Sequence, residues 1–176
     1  GYYLTNYNEL SVTIKELERK KQKTLLFGVT YALLDFAKKF PQKLNHTIIM
    51  ETGGMKGKRK EIIKEEVHSI LKTCFHIKTI HSEYGMTELL SQSYSKGNNV
   101  FTCPPWMKIL IRDVNDPLSI IGKNKRGGIN IIDLANIYSC PFIATQDWGK
   151  KFNNNSFSIL GRLSNVDVRG CNLMLE

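Results

Sequence analysis

The first forty residues alternate between two hydrophobic patterns. Apolar residues recur every three to four positions among charges over residues 9–22, which predicts an amphipathic surface helix. The compact apolar run TLLFGV (24–29) predicts a buried strand, and TYALLDFAKKF (30–40) predicts a helix that ends before Pro41. The chain is therefore expected to begin with a helix, a strand and a second helix.

The same alternation continues through the next forty residues. HTIIM (46–50) predicts a second short strand, residues 60–74 a helix with one apolar face, and IKTIHS (77–82) a third strand. Strands that alternate with helices over short connections favour right-handed crossovers. We therefore expect a mostly parallel sheet covered by helices, an α/β fold.

The pattern changes after residue 106. KILIRDV, GGINIIDL, PFIAT, FSILG and VDVRG are short β-type runs separated by Asn, Gly, Asp and Pro, and KKFNNNS (150–156) is a polar loop. These runs predict a small antiparallel sheet or partial barrel. The expected organisation is an α/β part over residues 1–106 and a β-rich part over residues 107–176.

Composition adds an expected location. The chain has 176 residues and 41% apolar content, enough for a substantial core, and no run approaches the roughly 20 apolar residues of a membrane span. It has no basic-then-apolar start typical of a signal peptide, so we expect a cytoplasmic protein. The four cysteines are scattered without a C-x-x-C pair, which predicts reduced thiols and no structural metal.

The net charge of +9 allows two interpretations. A basic protein suits an anionic partner, but Lys and Arg runs are commonly solvated helix faces. No recognisable nucleic-acid motif accompanies the charge, and the aromatic residues lie mostly in apolar runs. We therefore expect no nucleic-acid partner.

The first candidate site is the glycine-rich stretch ETGGMKGK between a predicted strand and a predicted helix. Gly53 and Gly54 permit close backbone approach to an anion at the helix start. A Walker loop is excluded because position 52 is Thr and Arg59 replaces the magnesium-binding Ser or Thr. A plain strand-to-helix turn remains open as the alternative.

The second candidate is HSEYGMTE, which follows the next predicted strand, so both loops should leave the same carboxyl edge of the sheet. Tyr84 could stack on a base, Thr87 could bond a phosphate, and Glu88 could bind Mg²⁺ through oxygen. The alternative is structural: Thr87 would cap a helix and Glu88 would be its first-turn acid.

The remaining polar candidates are Asp147 in ATQDWG and Arg162 in LGRLSN, each expected at the end of a short β run. A carboxylate can accept from both hydroxyls of a ribose, and an arginine can bind hydroxyls or phosphates through its forked donors. Taken singly, such residues are more often a turn Asp and a surface Arg.

The order of these motifs resembles the adenylate-forming superfamily of acyl-activating enzymes. A closer resemblance, covering the chain from Leu25 onward, is to the acyl-protein synthetase (LuxE-like) family. It is carried by LFGVTYALLDFA, ETGGMKGKRKE, HSEYGMTELLSQSYS and GRLSNVDVRGCNLM. The resemblance implies the fold of the carboxy-terminal part of an adenylate-forming enzyme.

It also implies roles for the loop residues, with ATP and Mg²⁺ as cofactors. In that superfamily the glycine loop matching Gly53 and Gly54 lines the adenine and α-phosphate site. The aromatic matching Tyr84 packs on adenine. The position of Thr87 contacts the α-phosphate, and that of Glu88 binds Mg²⁺.

In the β-rich part, the acid matching Asp147 holds the ribose hydroxyls, and Arg162 matches the arginine of the hinge toward a carboxy-terminal lid. The resemblance thus implies a nucleotide-binding set of eight residues: Gly53, Gly54, Tyr84, Gly85, Met86, Thr87, Asp147 and Arg162.

The implied reaction joins a carboxylic acid, here a fatty acid, to AMP with loss of pyrophosphate. In the LuxE-like family a cysteine near the carboxyl terminus then accepts the acyl group as a thioester and delivers it to an acyl-CoA or acyl-protein reductase partner. Cys171, in VRGCNLMLE, matches it. The alternative is a small apolar residue packed at a strand end.

Two parts of the superfamily pattern are missing. No Ser/Thr/Gly-rich pyrophosphate loop precedes Tyr31, and the chain stops before a lid that would supply a catalytic lysine. We therefore expect the carboxy-terminal part of a longer enzyme, with Lys56 or Lys58 as substitutes for the lid lysine. The alternative function is a nucleotide-binding module without catalysis.

Overall fold

The computed structural model describes three stretches of the chain, residues 1–53, 63–152 and 155–163. The chain divides into two compact units. The first unit comprises Gly1–Gly85 and Tyr94–Asn99, and the second comprises Met86–Ser93 and Val100–Glu176. The domain boundary expected after residue 106 stays a prediction.

The first unit alternates helices and strands, as predicted. Its elements are α1 (Tyr7–Arg19), β1 (Thr24–Val29), α2 (Thr30–Lys39), β2 (Thr47–Thr52), α3 (Lys64–Phe75) and β3 (His81–Tyr84). The strands are parallel in the order β1-β2-β3. No helix in the described stretches is long and apolar enough to cross a membrane.

The third strand begins later than predicted, at His81 instead of Ile77. The chain leaves α3 through His76, which adopts the left-handed conformation (φ 52°), and the Ile77 amide donates back to the Lys72 carbonyl. Residues 77–80 are therefore used to turn from the helix into the sheet. Their apolar character reflects burial of Ile80 and partial burial of Ile77 in the core.

Aromatic and aliphatic side chains from α2 and α3 build the core of this unit. Phe36 and Phe75 are fully buried with ring centroids 5.9 Å apart, and they lie in one cluster with Ile49 of β2. On the opposite face of the sheet, Phe27 and Ile48 are about half exposed (49% and 50%). The buried face of the parallel sheet is therefore the one that packs against α2 and α3.

The second unit is an antiparallel sheet, as predicted. Its strands are β5 (Phe101–Thr102), β6 (Met107–Arg112), β7 (Ile120–Ile121), β8 (Arg126–Asp133), β9 (Phe142–Lys151) and β10 (Ser156–Arg162), while β4 (Ser93–Ser95) crosses the division between the units. The order is β5-β10-β9-β8-β6-β7. Alternate residues of β6 and β8 fill its core: Met107, Ile109, Ile111, Ile129 and Ile131. The predicted run VDVRG lies outside the described residues.

A buried carboxylate joins the carboxyl end of β2 to its neighbours. Glu51 is 2% exposed. Its Oε2 accepts a hydrogen bond from Thr30 Oγ1 at the start of α2 (2.7 Å), and its Oε1 lies 3.0 Å from Lys64 Nζ and 3.5 Å from His68 Nε2 of α3. Ser82 pairs in register with Glu51 on β3, and its Oγ lies 3.3 Å from His68 Nε2. One carboxylate thus connects two helices and two strands.

These contacts keep Glu51 ionised. Burial raises the pKa of the carboxyl group, but the hydrogen bond with His68 and the Lys64 charge, with further hydrogen bonds from Ser82 and Thr30, lower it by more. The resulting pKa is about 2, well below the ordinary 4.5.

The Glu51→Gln variant should unfold more easily at neutral pH. A pKa of about 2 in the folded state against 4.5 corresponds to about 3 kcal/mol of stability that requires the ionised group. This stabilisation is present above pH 4.5 and is lost as the pH falls toward about 2, so the stabilities of the two proteins should converge there. Urea unfolding at several pH values measures both effects.

A matched control is Glu16→Gln, which removes an exposed ion pair with Lys20 on α1 (2.6 Å). Exposed pairs contribute little to stability, so this variant should unfold like the parent protein. Equal stability of the Glu51 variant and the parent across the whole pH range would contradict the role assigned to the buried carboxylate.

Candidate functional site

The two loops predicted to share a sheet edge do leave the same edge. The last register pair of β2 and β3 is Thr52 with Glu83, so Gly53 and Tyr84 are the next residues of two neighbouring parallel strands. Thr52 Oγ1 donates to Glu83 Oε1 (3.0 Å). Gly53 has φ 69°, a conformation that favours glycine. Gly54 lies outside the described residues.

Glu83, the residue before Tyr84, also forms a hydrogen bond with the side chain of Tyr94. Burial, together with the hydrogen bond to Glu83 and its charge, raises the pKa of the Tyr94 hydroxyl. Glu83 is therefore held by both Thr52 and Tyr94. This arrangement fixes the end of β3 from which Tyr84, half-buried, and Gly85, exposed, continue.

Thr87 and Glu88 lie in an exposed turn, and no helix follows them in residues 85–92. The interpretation of Thr87 as a helix cap and Glu88 as a first-turn acid is therefore wrong. The Leu89 amide donates to the carbonyl of Met86 (3.1 Å), which closes the turn. The next amides then bond a side chain distant in sequence, so no helical hydrogen bonds continue from the turn.

That side chain is Asp133, which is fully buried at the end of β8. Its Oδ2 accepts from the amides of Leu90 (3.1 Å) and Ser91 (2.9 Å), and its Oδ1 accepts from Ser91 Oγ (2.7 Å). Asn136 Nδ2 donates to the carbonyl of Glu88 (2.8 Å). Two side chains of the second unit therefore hold the backbone from Glu88 to Ser91.

Sequence reasoning missed both of these side chains. Burial raises the pKa of Asp133, but hydrogen bonds from Ser91, Ala135 and Leu90 lower it by more, so the pKa falls below its ordinary value. The available signal was the run IIDLAN, in which two polar residues follow an apolar strand. That run does not indicate which segment these side chains hold, and the segment lies some 45 residues earlier in the chain.

The structure brings Asp147 and Arg162 together. They are a register pair of β9 and β10, with Arg162 Nε 3.7 Å from Asp147 Oδ1. The Asp147 side chain is 15% exposed and that of Arg162 is 62% exposed. Asp147 was expected at the end of a β run, and this is wrong: it lies inside the ten-residue strand β9, at an irregularity in the pairing of β8 and β9.

Besides Gly54, three predicted residues cannot be placed. Cys171, Lys56 and Lys58 lie outside the described residues. Among the described cysteines, Cys103 is buried and Cys140 is exposed. The acyl-acceptor role of Cys171 and the lysine roles therefore stay predictions.

The chemistry of Glu88 fits a magnesium ion that is held mainly by phosphate and water. The described residues contain no group of three or more His, Cys, Asp or Glu side chains arranged to hold a metal. Mg²⁺ typically keeps several waters and binds through one or two carboxylates plus substrate phosphates. A single exposed carboxylate such as Glu88 is a suitable protein ligand of this kind.

Comparisons with known proteins find similarity in structure. No protein-family model and no curated protein sequence matches the chain. ATP-bound MatB from Rhodopseudomonas palustris matches 91% of this chain with 34% of its own, at 14% identity and TM-score 0.64. Coronafacic acid ligase from Pectobacterium brasiliense matches 89% with 33% of its own, at 18% identity and TM-score 0.60.

A third match is the O-succinylbenzoate coenzyme A synthetase MenE from Bacillus subtilis in complex with ATP and magnesium. It covers 92% of this chain with 36% of its own, at 18% identity and TM-score 0.58. The chain thus spans about a third of the length of the structures it matches.

At these identities the similarity establishes the fold. The matches to MatB, coronafacic acid ligase and MenE each cover most of this chain. The predicted fold class is confirmed: an α/β unit with a parallel sheet followed by an antiparallel β unit, which is the fold of the matched parts of MatB and coronafacic acid ligase.

Proposed function

We propose that this chain is part of an ATP-dependent acyl-protein synthetase of the LuxE-like type, which activates a fatty acid and transfers the acyl group to a cysteine. The observation that carries the proposal is the order of the nucleotide motifs on a fold shared with ATP-bound MatB. Two placements support it: Gly53 and Tyr84 lie at the carboxyl ends of two neighbouring parallel strands, and Asp147 pairs with Arg162.

The proposed nucleoside contacts follow from the chemistry of each residue. The Tyr84 ring packs on adenine, and Asp147 accepts hydrogen bonds from the ribose hydroxyls. Gly85 and Met86 supply the backbone beside the base. Arg162 offers donors to the ribose or to a phosphate.

In the first step, a carboxylate oxygen of the fatty acid attacks the α-phosphorus of ATP. The bond to the bridging oxygen of the β-phosphate breaks, and pyrophosphate leaves with the electron pair. Thr87 donates to an α-phosphate oxygen, while Gly53 and Gly54 let the backbone approach the same group. When bound at Glu88, Mg²⁺ would neutralise phosphate charge. Lys56 or Lys58 would add positive charge near the reacting phosphate.

In the second step, the thiolate of Cys171 attacks the carbonyl carbon of the acyl-adenylate. A thioester forms, and AMP leaves with the electrons of the broken carbon–oxygen bond. The proton of the thiol passes to solvent. A reductase that accepts acyl-CoA or acyl-protein would then receive the acyl group.

Exchange of labelled pyrophosphate into ATP tests the first step. The exchange should require the fatty acid and should fall about 100-fold in Glu88→Ala and in Asp147→Ala, because each variant removes a group that positions the reacting nucleotide. The measurement uses the longest protein that carries this sequence.

The matched control is Glu65→Ala, which removes an exposed acid from the first turn of α3 and should leave exchange unchanged. Normal exchange in both site variants would contradict the proposed function. ATP binding without any exchange in the parent protein would instead support a nucleotide-binding module without catalysis.

Retention of a labelled fatty acid on the protein tests the second step. Cys171→Ala should abolish label that hydroxylamine releases, yet keep pyrophosphate exchange, since adenylation does not use the thiol. Cys140→Ala, which removes an exposed thiol, should keep both. Thioester labelling that survives in the Cys171 variant would exclude that residue as the acceptor.

A further inference from the structure

The strand that carries Asp147 departs from regular pairing at this residue. Between the register pairs Gly128–Trp148 and Asn130–Ala144, β8 advances by two residues and β9 by four. The additional residues of β9 form a bulge that includes Asp147. A bulge redirects a side chain and takes backbone groups out of the hydrogen-bonded ladder, so it needs other contacts to hold it.

Thr145 supplies two of these contacts through one hydroxyl. The side chain is buried (6% exposed). Its Oγ1 donates to the carbonyl of Ile129 on β8 (2.9 Å) and accepts from the amide of Asp147 (3.1 Å). The hydroxyl therefore satisfies groups on both sides of the bulge and fixes the backbone of Asp147 directly.

Arg112 supports the same segment from β6, which lies on the other side of β8. Its Nη2 donates to the carbonyl of Thr145 (2.6 Å), and its Nη1 donates to the carbonyl of Ile129 (2.9 Å) and to Asn130 Oδ1 (2.6 Å). Gly128 makes room for it, since a Cβ there would lie 2.5–2.9 Å from guanidinium atoms. The planar fork of an arginine suits three acceptors spread over two strands.

We propose that Thr145 and Arg112 are positioning residues that hold the bulge and so set the direction of the Asp147 carboxylate toward the ribose of a nucleotide. The proposal rests on the proposed function, in which Asp147 accepts from ribose hydroxyls. Neither residue is assigned a contact with the nucleotide. Both act through the backbone of β9: Arg112 binds the carbonyl of Thr145, two residues before Asp147, and Thr145 binds the amide of Asp147 itself.

This role has a signature that general destabilisation lacks. If the bulge relaxes, the contacts to adenine and phosphates persist, while the bonds from the ribose hydroxyls to Asp147 weaken. The preference for ATP over 2′-deoxy-ATP should therefore fall, although a loss of folded protein would lower the apparent binding of both nucleotides equally.

Calorimetric titration with ATP and with 2′-deoxy-ATP measures this preference. The parent protein should bind ATP about tenfold more tightly, the size of one charge-assisted hydrogen bond. Thr145→Val keeps the side-chain shape but removes both hydrogen bonds, so the ratio should fall toward the ratio near one expected for Asp147→Ala. Thr145→Ser retains the hydroxyl and should restore the preference.

Arg112→Lys provides a second variant, which keeps the positive charge but loses the fork, and it should also lower the ratio. It decides the question if Thr145→Val fails to fold. Parental preference in the Thr145→Val and Arg112→Lys proteins, with loss in Asp147→Ala alone, would overturn the inference and leave the proposed function intact.

Two possible results for the parent protein bear on the Asp147 assignment and on the proposed function as well. Equal affinity for the two nucleotides would remove Asp147 from the ribose site and overturn the inference with that assignment, while pyrophosphate exchange would still support adenylation. Failure to bind ATP at all would contradict the proposed function and, with it, the inference.

Discussion

The buried carboxylate of Glu51 is the constraint on which the first unit depends. Burying an ionised group in a protein interior costs free energy unless opposite charges and hydrogen bonds surround it. Removing one of these partners leaves an uncompensated buried charge, which strongly destabilises the fold. Thr30, Lys64, His68 and Ser82 surround this one, and they come from both helices that pack on the sheet and from the neighbouring strand. These contacts join both helices to β2 and β3 and hold the strand end from which Gly53 leaves.

The second unit follows the same physical rule with different residues. At two of its irregular segments, polar side chains satisfy the freed backbone groups: Asp133 for the amides after the Glu88 turn, and Thr145 and Arg112 for the bulge in β9. An unsatisfied buried amide or carbonyl costs free energy comparable to a lost hydrogen bond. These two irregular segments are therefore defined conformations, and they carry three of the predicted site residues, Thr87, Glu88 and Asp147.

This rule also explains which features the sequence could predict. Hydrophobic periodicity located α1, β1, α2 and β2 closely, because burial on one face leaves a local signal. The helix cap considered as the alternative for Thr87 and the strand end expected at Asp147 were wrong because distant side chains decide both conformations. Asp133 lies some 45 residues after the first segment, and Arg112 lies 35 residues before Asp147. A window of local sequence contains neither contact, whereas the order of motifs along the chain reflects the whole fold.

The Asp147–Arg162 pair illustrates why motif order was informative when single residues were not. Each residue alone has an ordinary structural explanation. The ion pair itself contributes little to stability, because the Arg162 side chain is 62% exposed and its Nε lies 3.7 Å from Asp147 Oδ1. Two bulges nevertheless interrupt the sheet beside this pair, one between β8 and β9 and one between β9 and β10. Bulges are over-represented next to active sites, where they redirect side chains. The irregular pairing at Asp147 agrees with the proposed role, in which the bulge orients this carboxylate toward a ribose.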